Sequence, residues 1–200
     1  MIIELSRLLG TKVLSLQLGA PIGEVVDAIV DPDNLKILAL RLRGPMINKK
    51  SGDILTVDSI REFGRLGIII NSDEELVEDK DVIRVAKILE LKFSLIGLKA
   101  LTKRGVKLGT VESYRLETNS MMVRDLIVKR RGFKAISDPE LFIPRSEIVE
   151  INDCEVIIKD EEAKIKAKSE KENFIPNFVN PFREANFAPI QNQTPDGKDN

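Results

Sequence analysis

The sequence contains no histidine, no tryptophan and a single cysteine, Cys154. Without histidine, the Ser-His-Asp and Cys-His catalytic arrangements and ordinary zinc sites are excluded. A lone cysteine excludes a disulfide within the chain, and its position in the apolar run 154–158 predicts a small core residue rather than a nucleophile. These absences predict a protein that is not an enzyme and that holds neither a cofactor nor a metal ion.

Long apolar runs are also missing. None approaches the roughly 20 residues needed to span a bilayer, and residues 1–7 lack the basic and then apolar pattern of a signal peptide. The 31 basic and 32 acidic side chains nearly cancel, which argues against bulk electrostatic capture of nucleic acid or membrane but leaves local patches open. We therefore expect a soluble, cytoplasmic protein with no integral membrane segment.

The sequence does contain an internal repeat. Gly23 opens an apolar, β-branched run, and Gly109 opens a matching run 86 positions later. Residues 38–44 match residues 126–132 at a spacing of 88 positions, and we place the two extra residues in the polar turn 117–120. The pattern predicts a duplication, with each of the two glycines at a bulge or bend in a strand.

Alternation and turn chemistry predict strands throughout both copies. Between the Asp-Pro-Asp turn and Gly44, Leu38, Leu40 and Leu42 alternate with polar or small residues, as in a half-buried antiparallel strand. Short strands separated by Gly-containing turns predict an all-β fold of two tandem small antiparallel β-barrels, which leaves few unpaired strand edges. We expect a first barrel at 1–77, a charged connector at 78–87, a second barrel at 88–159 and a disordered tail at 160–200.

The chain resembles the PRC-barrel family. The matching features are Leu8-Leu9-Gly10, Ile22-Gly23, the strand 25–31 with its Asp-Pro-Asp ending, the alternating strand before Gly44, and the segments 54–60 and 142–148. The resemblance covers residues 2–77 and 88–159 and does not include the tail. It implies small β-barrels that serve as adaptors, without a catalytic motif, and some tandem members act in cell division.

Half of the eight phenylalanines lie in the tail, at Phe174, Phe178, Phe182 and Phe187. Pro176 and Pro181 exclude a continuous helix, so the rings would be carried on an extended segment. Such a segment suits strand addition or docking into a groove of a partner. A tail without a partner, or one that folds back on its own barrel, remains an alternative.

A basic cluster gives a second candidate site. Lys129, Arg130, Arg131 and Lys134 surround one phenylalanine, and Arg41 and Arg43 occupy the corresponding strand of the first copy. Cations beside an aromatic ring can bind RNA phosphates and stack a base. The other reading is a solvated strand face that protects an exposed edge.

Asp27, Asp31 and Asp33 are close in sequence but lack the glycine and distal glutamate of a calcium loop, so we assign the last two to turn formation. The sequence thus favours a non-enzymatic adaptor that binds other proteins through two barrels and the tail, with cell division or envelope organisation as the expected setting. The alternative is an RNA- or ribosome-associated assembly factor that uses residues 129–134. A homo-oligomer is compatible with either function.

Overall fold

The computed structural model describes residues 1–47, 52–130 and 139–160. The first half contains the elements β1 (Ile2–Glu4), α1 (Leu5–Leu8), β2 (Lys12–Ser15), β3 (Ala20–Val30), β4 (Ile37–Arg43), β5 (Ile54–Thr56), β6 (Glu62–Gly64) and β7 (Gly67–Ile70). The second half contains α2 (Ile83–Glu90), β8 (Lys99–Thr102), β9 (Lys107–Glu117), β10 (Met122–Lys129), β11 (Glu140–Pro144), β12 (Ile148–Ile151) and β13 (Glu155–Ile158). The predicted all-β class is confirmed.

The two halves have the same topology. One sheet has the strand order β5-β4-β3-β2-β7-β6, and the other has β11-β10-β9-β8-β13-β12. In each sheet one pair is parallel, β2 with β7 and β8 with β13, and the remaining pairs on this path are antiparallel. Two sheets with one strand order are the outcome that an internal duplication predicts.

The register corrects the position of the insertion. Leu40 lies opposite Ala28 in the first sheet, and Leu126 lies opposite Tyr114 in the second, so β4 corresponds to β10 at a spacing of 86 positions. The spacing becomes 88 only at β5, where Leu55 corresponds to Ile143. The two extra residues therefore follow β10, and their predicted place in the turn 117–120 was wrong. A shift of two residues keeps every side chain on the same face, so an apolar pattern cannot reveal it.

Both predicted glycine bulges are present. The β2–β3 register shifts next to Gly23, and the β8–β9 register shifts next to Gly109. A Cβ atom on Gly23 would lie 2.7 Å from the carbonyl oxygen of Arg43, and one on Gly109 would collide with the carbonyl oxygen of Lys129. Glycine is required at both positions because another strand crosses at close range.

One hydrophobic core joins the halves. Its largest fully buried side chains include Ile37 and Leu40 from the first sheet and Leu116 and Leu126 from the second. Backbone hydrogen bonds also join the β3–β4 connection to the β9–β10 connection. The Ile37 N–H donates to the Met121 carbonyl at 2.8 Å, and the Val123 N–H donates to the Leu35 carbonyl at 2.9 Å. The described residues accordingly belong to one compact unit.

The N-terminal strand crosses between the halves. Although the sequence prediction assigned residues 1–77 to the first barrel, β1 pairs with β9 of the second sheet, with Ile3 opposite Leu116. The Thr118 N–H donates to the Met1 carbonyl at 2.9 Å and fixes the start of the chain. Residues 1–77 therefore contribute strands to both sheets.

Helix α2 covers the outer face of the first sheet. Val85 and Ile88 pack on Ile29, Ala39 and Ile54 in a second, smaller core. This helix occupies the second half of the segment 78–87, which was predicted as a charged connector, and continues to Glu90. Its two buried residues, Val85 and Ile88, lie three apart, which places them on one face of the helix.

The corresponding face of the second sheet is polar. The three positions equivalent to Ile29, Ala39 and Ile54 carry Arg115, Asp125 and Phe142. Arg115 forms a 2.8 Å ion pair with Asp125, and its guanidinium lies 4.8 Å from the centre of the Phe142 ring. A paired, stacked arginine tolerates water, so this sheet needs no covering helix.

Candidate protein-binding groove

The predicted basic cluster is only partly within the described residues. Arg131 and Lys134 lie outside them. The Lys129 ammonium donates to the Glu112 carboxylate at 2.7 Å, and this hydrogen bond, together with the attraction of that charge, raises the pKa of Lys129. The backbone N–H of Arg130 donates to the carbonyl of Pro139 at 2.8 Å.

The arginines of the first sheet are also paired with acids. Arg41 lies 2.7 Å from Asp53, and Arg43 lies 3.4 Å from Glu24. By register, Arg43 corresponds to Lys129, and not to Arg131 as predicted. An acid on a neighbouring strand or loop thus compensates each of these cations, which favours the reading of a solvated strand face.

The other sequence candidates fall into three groups. Phe174, Phe178, Phe182 and Phe187 lie outside the described residues. Asp31 is a turn residue, as predicted: its carboxylate accepts the Asp33 N–H at 3.1 Å, and it also forms an ion pair with Arg84 of α2. Among the residues with described positions, no group of His, Cys, Asp or Glu is arranged to hold a metal ion.

Cys154 is exposed, so its prediction as a core residue was wrong. It lies in the turn between β12 and β13, where the side-chain oxygen of Asn152 accepts the N–H groups of Cys154 and Glu155 at 3.0 and 2.9 Å. The buried apolar run begins only at Val156. The Asn-centred turn is the local signal that separates the cysteine from the strand.

A groove that sequence reasoning missed lies where the two halves meet. Its volume is about 510 Å³. It is bounded by the N-terminal segment, the start of β2, the β6–β7 turn and the β9–β10 turn, and is called the junction groove below. Its lining residues are Met1, Ile3, Arg7, Thr11, Lys12, Phe63, Gly64, Arg65, Leu66, Gly67, Thr118 and Asn119.

The junction groove is cationic. Arg7, Lys12 and Arg65 are exposed, and their side chains make no ion pair or hydrogen bond within the described part of the chain. No acidic side chain is among the described residues that line the groove. This contrasts with the paired cations on β4 and β10, so unpaired positive charge gathers at the groove although the sequence shows no basic run there.

The groove also exposes apolar surface. Leu66 is 78% exposed and Met1 is 60% exposed, and Phe63 is half-buried in the lining. Leu66 lies in the two-residue turn between Gly64 and Gly67, which pair with each other. Glycines on both sides of two residues are the sequence signal for this hairpin.

The walls of the groove are well anchored. Gly67 has φ 132°, and a Cβ atom there would collide with the Lys12 carbonyl oxygen, so the hairpin lies directly against β2. On the opposite side, the Thr118 hydroxyl donates to the Met1 carbonyl at 3.2 Å. A fixed groove loses little conformational entropy when a ligand binds.

The helices of the described chain are both too short to cross a lipid bilayer.

Chemically, the junction groove offers three ammonium or guanidinium groups, two threonine hydroxyls and apolar contacts. It suits an anionic segment that also carries apolar side chains. A scan against protein-family models finds no family that matches the chain, and a search of curated proteins finds no significant match. Membership of the PRC-barrel family stays a prediction.

Proposed function

We propose that this protein is a non-enzymatic adaptor that binds another protein in the junction groove. The observation that carries this proposal is the combination of Arg7, Lys12 and Arg65, all without partners in the described chain, with the exposed side chain of Leu66. Exposed apolar residues next to uncompensated charge are typical of a protein interaction site. The resemblance to PRC-barrel adaptors supports the same function, with cell division or envelope organisation as its setting.

The chemistry of the groove supports binding rather than catalysis. As far as the structure describes its lining, the groove has no carboxylate, thiol or imidazole that could act as a general base or nucleophile. Tyr114 is buried in the core at 2% exposure, and so it does not reach the groove as an acid–base group. The predicted role of the phenylalanine tail, as a second attachment point for a partner, remains part of the proposal.

The alternative function is RNA or ribosome binding through residues 129–134. The ion pair between Lys129 and Glu112, and those of Arg41 and Arg43 with acids, reduce the positive potential that such binding needs. The junction groove keeps its cations unpaired, but its mixture of apolar and cationic side chains favours a polypeptide over a phosphate backbone.

Affinity purification with full-length variants tests the proposal. One variant carries Arg7→Glu, Lys12→Glu and Arg65→Glu, and the matched control carries Arg43→Glu, Lys80→Glu and Lys129→Glu. Both reverse three exposed charges, but the control changes only cations that are already ion-paired. We expect the groove variant to lose its bound protein and the control to retain it, both before and after nuclease treatment.

A result in which both variants retain the same proteins contradicts docking in the groove. Binding that is lost on nuclease treatment, or only in the control variant, supports the RNA alternative. A chain that ends at Asp160 measures the contribution of the tail, and identical partners with and without residues 161–200 would remove the tail from the function.

A further inference from the structure

The β6–β7 hairpin has a counterpart in the second half. Glu62 lies opposite Ile69, and Glu150 lies opposite Ile157, 88 positions later in each case. The turn 64–67 therefore corresponds to the turn 152–155. The first turn forms one wall of the junction groove, and the second is exposed at Asp153 and Cys154.

The charge of the turn is inverted between the two copies. Asp153 stands where the first copy has Arg65, Glu155 where it has Gly67, and Cys154 where it has Leu66. The group of Glu150, Asp153 and Glu155 is called the acidic tip below.

None of the three carboxylates of the acidic tip makes an ion pair within the described part of the chain. Lys99 is the register partner of Glu155 but does not pair with it, so the acids remain in excess. Within the described residues, three unpaired cations therefore line the junction groove and three unpaired acids lie on the β12–β13 hairpin.

We propose that the acidic tip of one copy docks in the junction groove of a second copy. The inference rests on the proposed function, because it takes the junction groove to be a protein-binding site and identifies the occupant. Charge complementarity carries the choice: three carboxylates match three cations, and the described residues that line the groove include no acid. A two-stranded hairpin about 5 Å wide between its backbones is also narrow enough to enter a groove.

Such an interface is heterologous. The groove and the tip are different surfaces, so each copy offers one of each, and docking that is not reciprocal between two copies forms an open chain or a closed ring of several copies. Because the contacts are exposed ion pairs, the association weakens in salt and is largely screened near 1 M, where the Debye length is about 3 Å. An adaptor that assembles head to tail would present many copies of its other surfaces to a partner.

A charge-swap experiment on the full-length protein tests the proposal. Sedimentation velocity at low salt measures the association of the wild type, of Arg65→Asp and of Asp153→Arg. Each single variant places like charges together, so we expect its association to weaken by roughly tenfold or more. The double variant restores opposite charges in reversed order and is expected to associate again, as is an equimolar mixture of the two single variants. Arg43→Asp is the matched control and is expected to behave as the wild type.

Cys154 provides a second measurement, because it is the only cysteine of the chain. In a Leu66→Cys variant, oxidation with a copper–phenanthroline catalyst is expected to join Cys154 of one copy to the new thiol of the next, which gives a ladder of covalent oligomers. With Cys154→Ser added, the ladder is expected to be reduced to dimers or to disappear.

Three results overturn the inference. One is a wild type that remains monomeric at the highest concentration and lowest salt. Another is association that Arg65→Asp and Asp153→Arg leave unchanged, and the third is a double variant that stays dissociated while it is fully folded. If the wild type is monomeric but the groove variant still loses its bound protein, self-docking is wrong and the adaptor function stands. If the wild type is monomeric and the groove variant keeps its bound protein, both the self-docking and the adaptor function are wrong.

Discussion

At the scale of single residues, bulges determine how neighbouring strands of each sheet lie against one another. The bulges at Gly23 and Gly109 follow from their sequence context. The alternating pattern of Leu38, Leu40 and Leu42 predicted one shared face, but Leu38 packs towards α2 and not with Leu40. A register shift in the β3–β4 pair, between Ile29 and Val30, interrupts the alternation of side chains. A bulge adds one residue to a strand and leaves no composition signal when the extra residue is apolar.

The environment of Cys154 likewise depends on where the strand begins. The four residues after it continue an apolar pattern, but the turn at Asn152 holds the cysteine outside the sheet. The sequence likewise does not show which acid pairs with Lys129. Its partner Glu112 lies on the neighbouring strand, 17 positions away, and only the register brings the two together.

Tyr114, the only tyrosine, gives a prediction at this scale. Burial, and secondarily the negative charge of Asp27, raise the pKa of its phenol above the usual value of about 10. In the folded protein, phenolate absorbance is therefore expected to stay absent as the pH passes 10, and to appear only when the protein unfolds.

The sign of the linked stability effect follows from this shift. The unfolded chain loses the Tyr114 proton first, so the stabilisation from this residue is fully present below about pH 10 and decreases as the pH rises further. Urea unfolding of the wild type and of Tyr114→Phe measures the effect, since the phenylalanine variant lacks this term. A normal phenol titration in the folded protein would contradict the buried placement.

At the scale of elements, the repeat predicted that the two halves share one topology, because turn residues recur at matching positions, but it did not give the order of the strands. The helix α2 was not recognised, since its charged neighbours and short length hide a pattern of two buried residues. Nor could the repeat show that one copy of the outer face is apolar and the other carries Arg115 and Asp125. That difference becomes visible only once the register assigns the equivalent positions.

The packing of α2 gives a prediction at this scale. Ile88 is 6% exposed against the first sheet, and Ile83, on the same helix, is 74% exposed. Ile88→Ala is expected to lower the free energy of unfolding by about 2–5 kcal/mol because it removes buried methyl groups and leaves a cavity. The matched control Ile83→Ala is expected to change it by less than about 0.5 kcal/mol. Urea denaturation followed by circular dichroism measures both, and equal effects would show that the helix does not cover the sheet.

At the scale of the whole molecule, the halves share one core, and β1 of the first half pairs with β9 in the sheet of the second half. The prediction of two tandem barrels describes the repeat but missed the pairing of β1 with β9, since pairing between distant segments has no local signature in the sequence. The junction groove has the same origin. Its residues come from five separate segments, and three isolated cations become a patch only in the folded chain.

The shared core predicts a single cooperative unfolding transition. Ile88 packs on the first sheet, and Tyr114 lies in the second, so the Ile88→Ala variant can report on their coupling. We expect Tyr114 fluorescence and far-ultraviolet circular dichroism to show the same shifted midpoint in this variant. A tyrosine transition that stays at its wild-type midpoint would show that the two halves unfold independently.

Site-specific photo-crosslinking at position 66 in cells measures directly whether the junction groove binds a polypeptide. A photoreactive amino acid replaces Leu66, and in a control it replaces Leu16, which is 52% exposed and does not line the groove. If a polypeptide binds in the junction groove, a nuclease-resistant protein adduct forms at position 66. This adduct is absent from the control and disappears when Arg65→Glu is added. No adduct at position 66, an adduct with RNA, or one that persists with Arg65→Glu would contradict it.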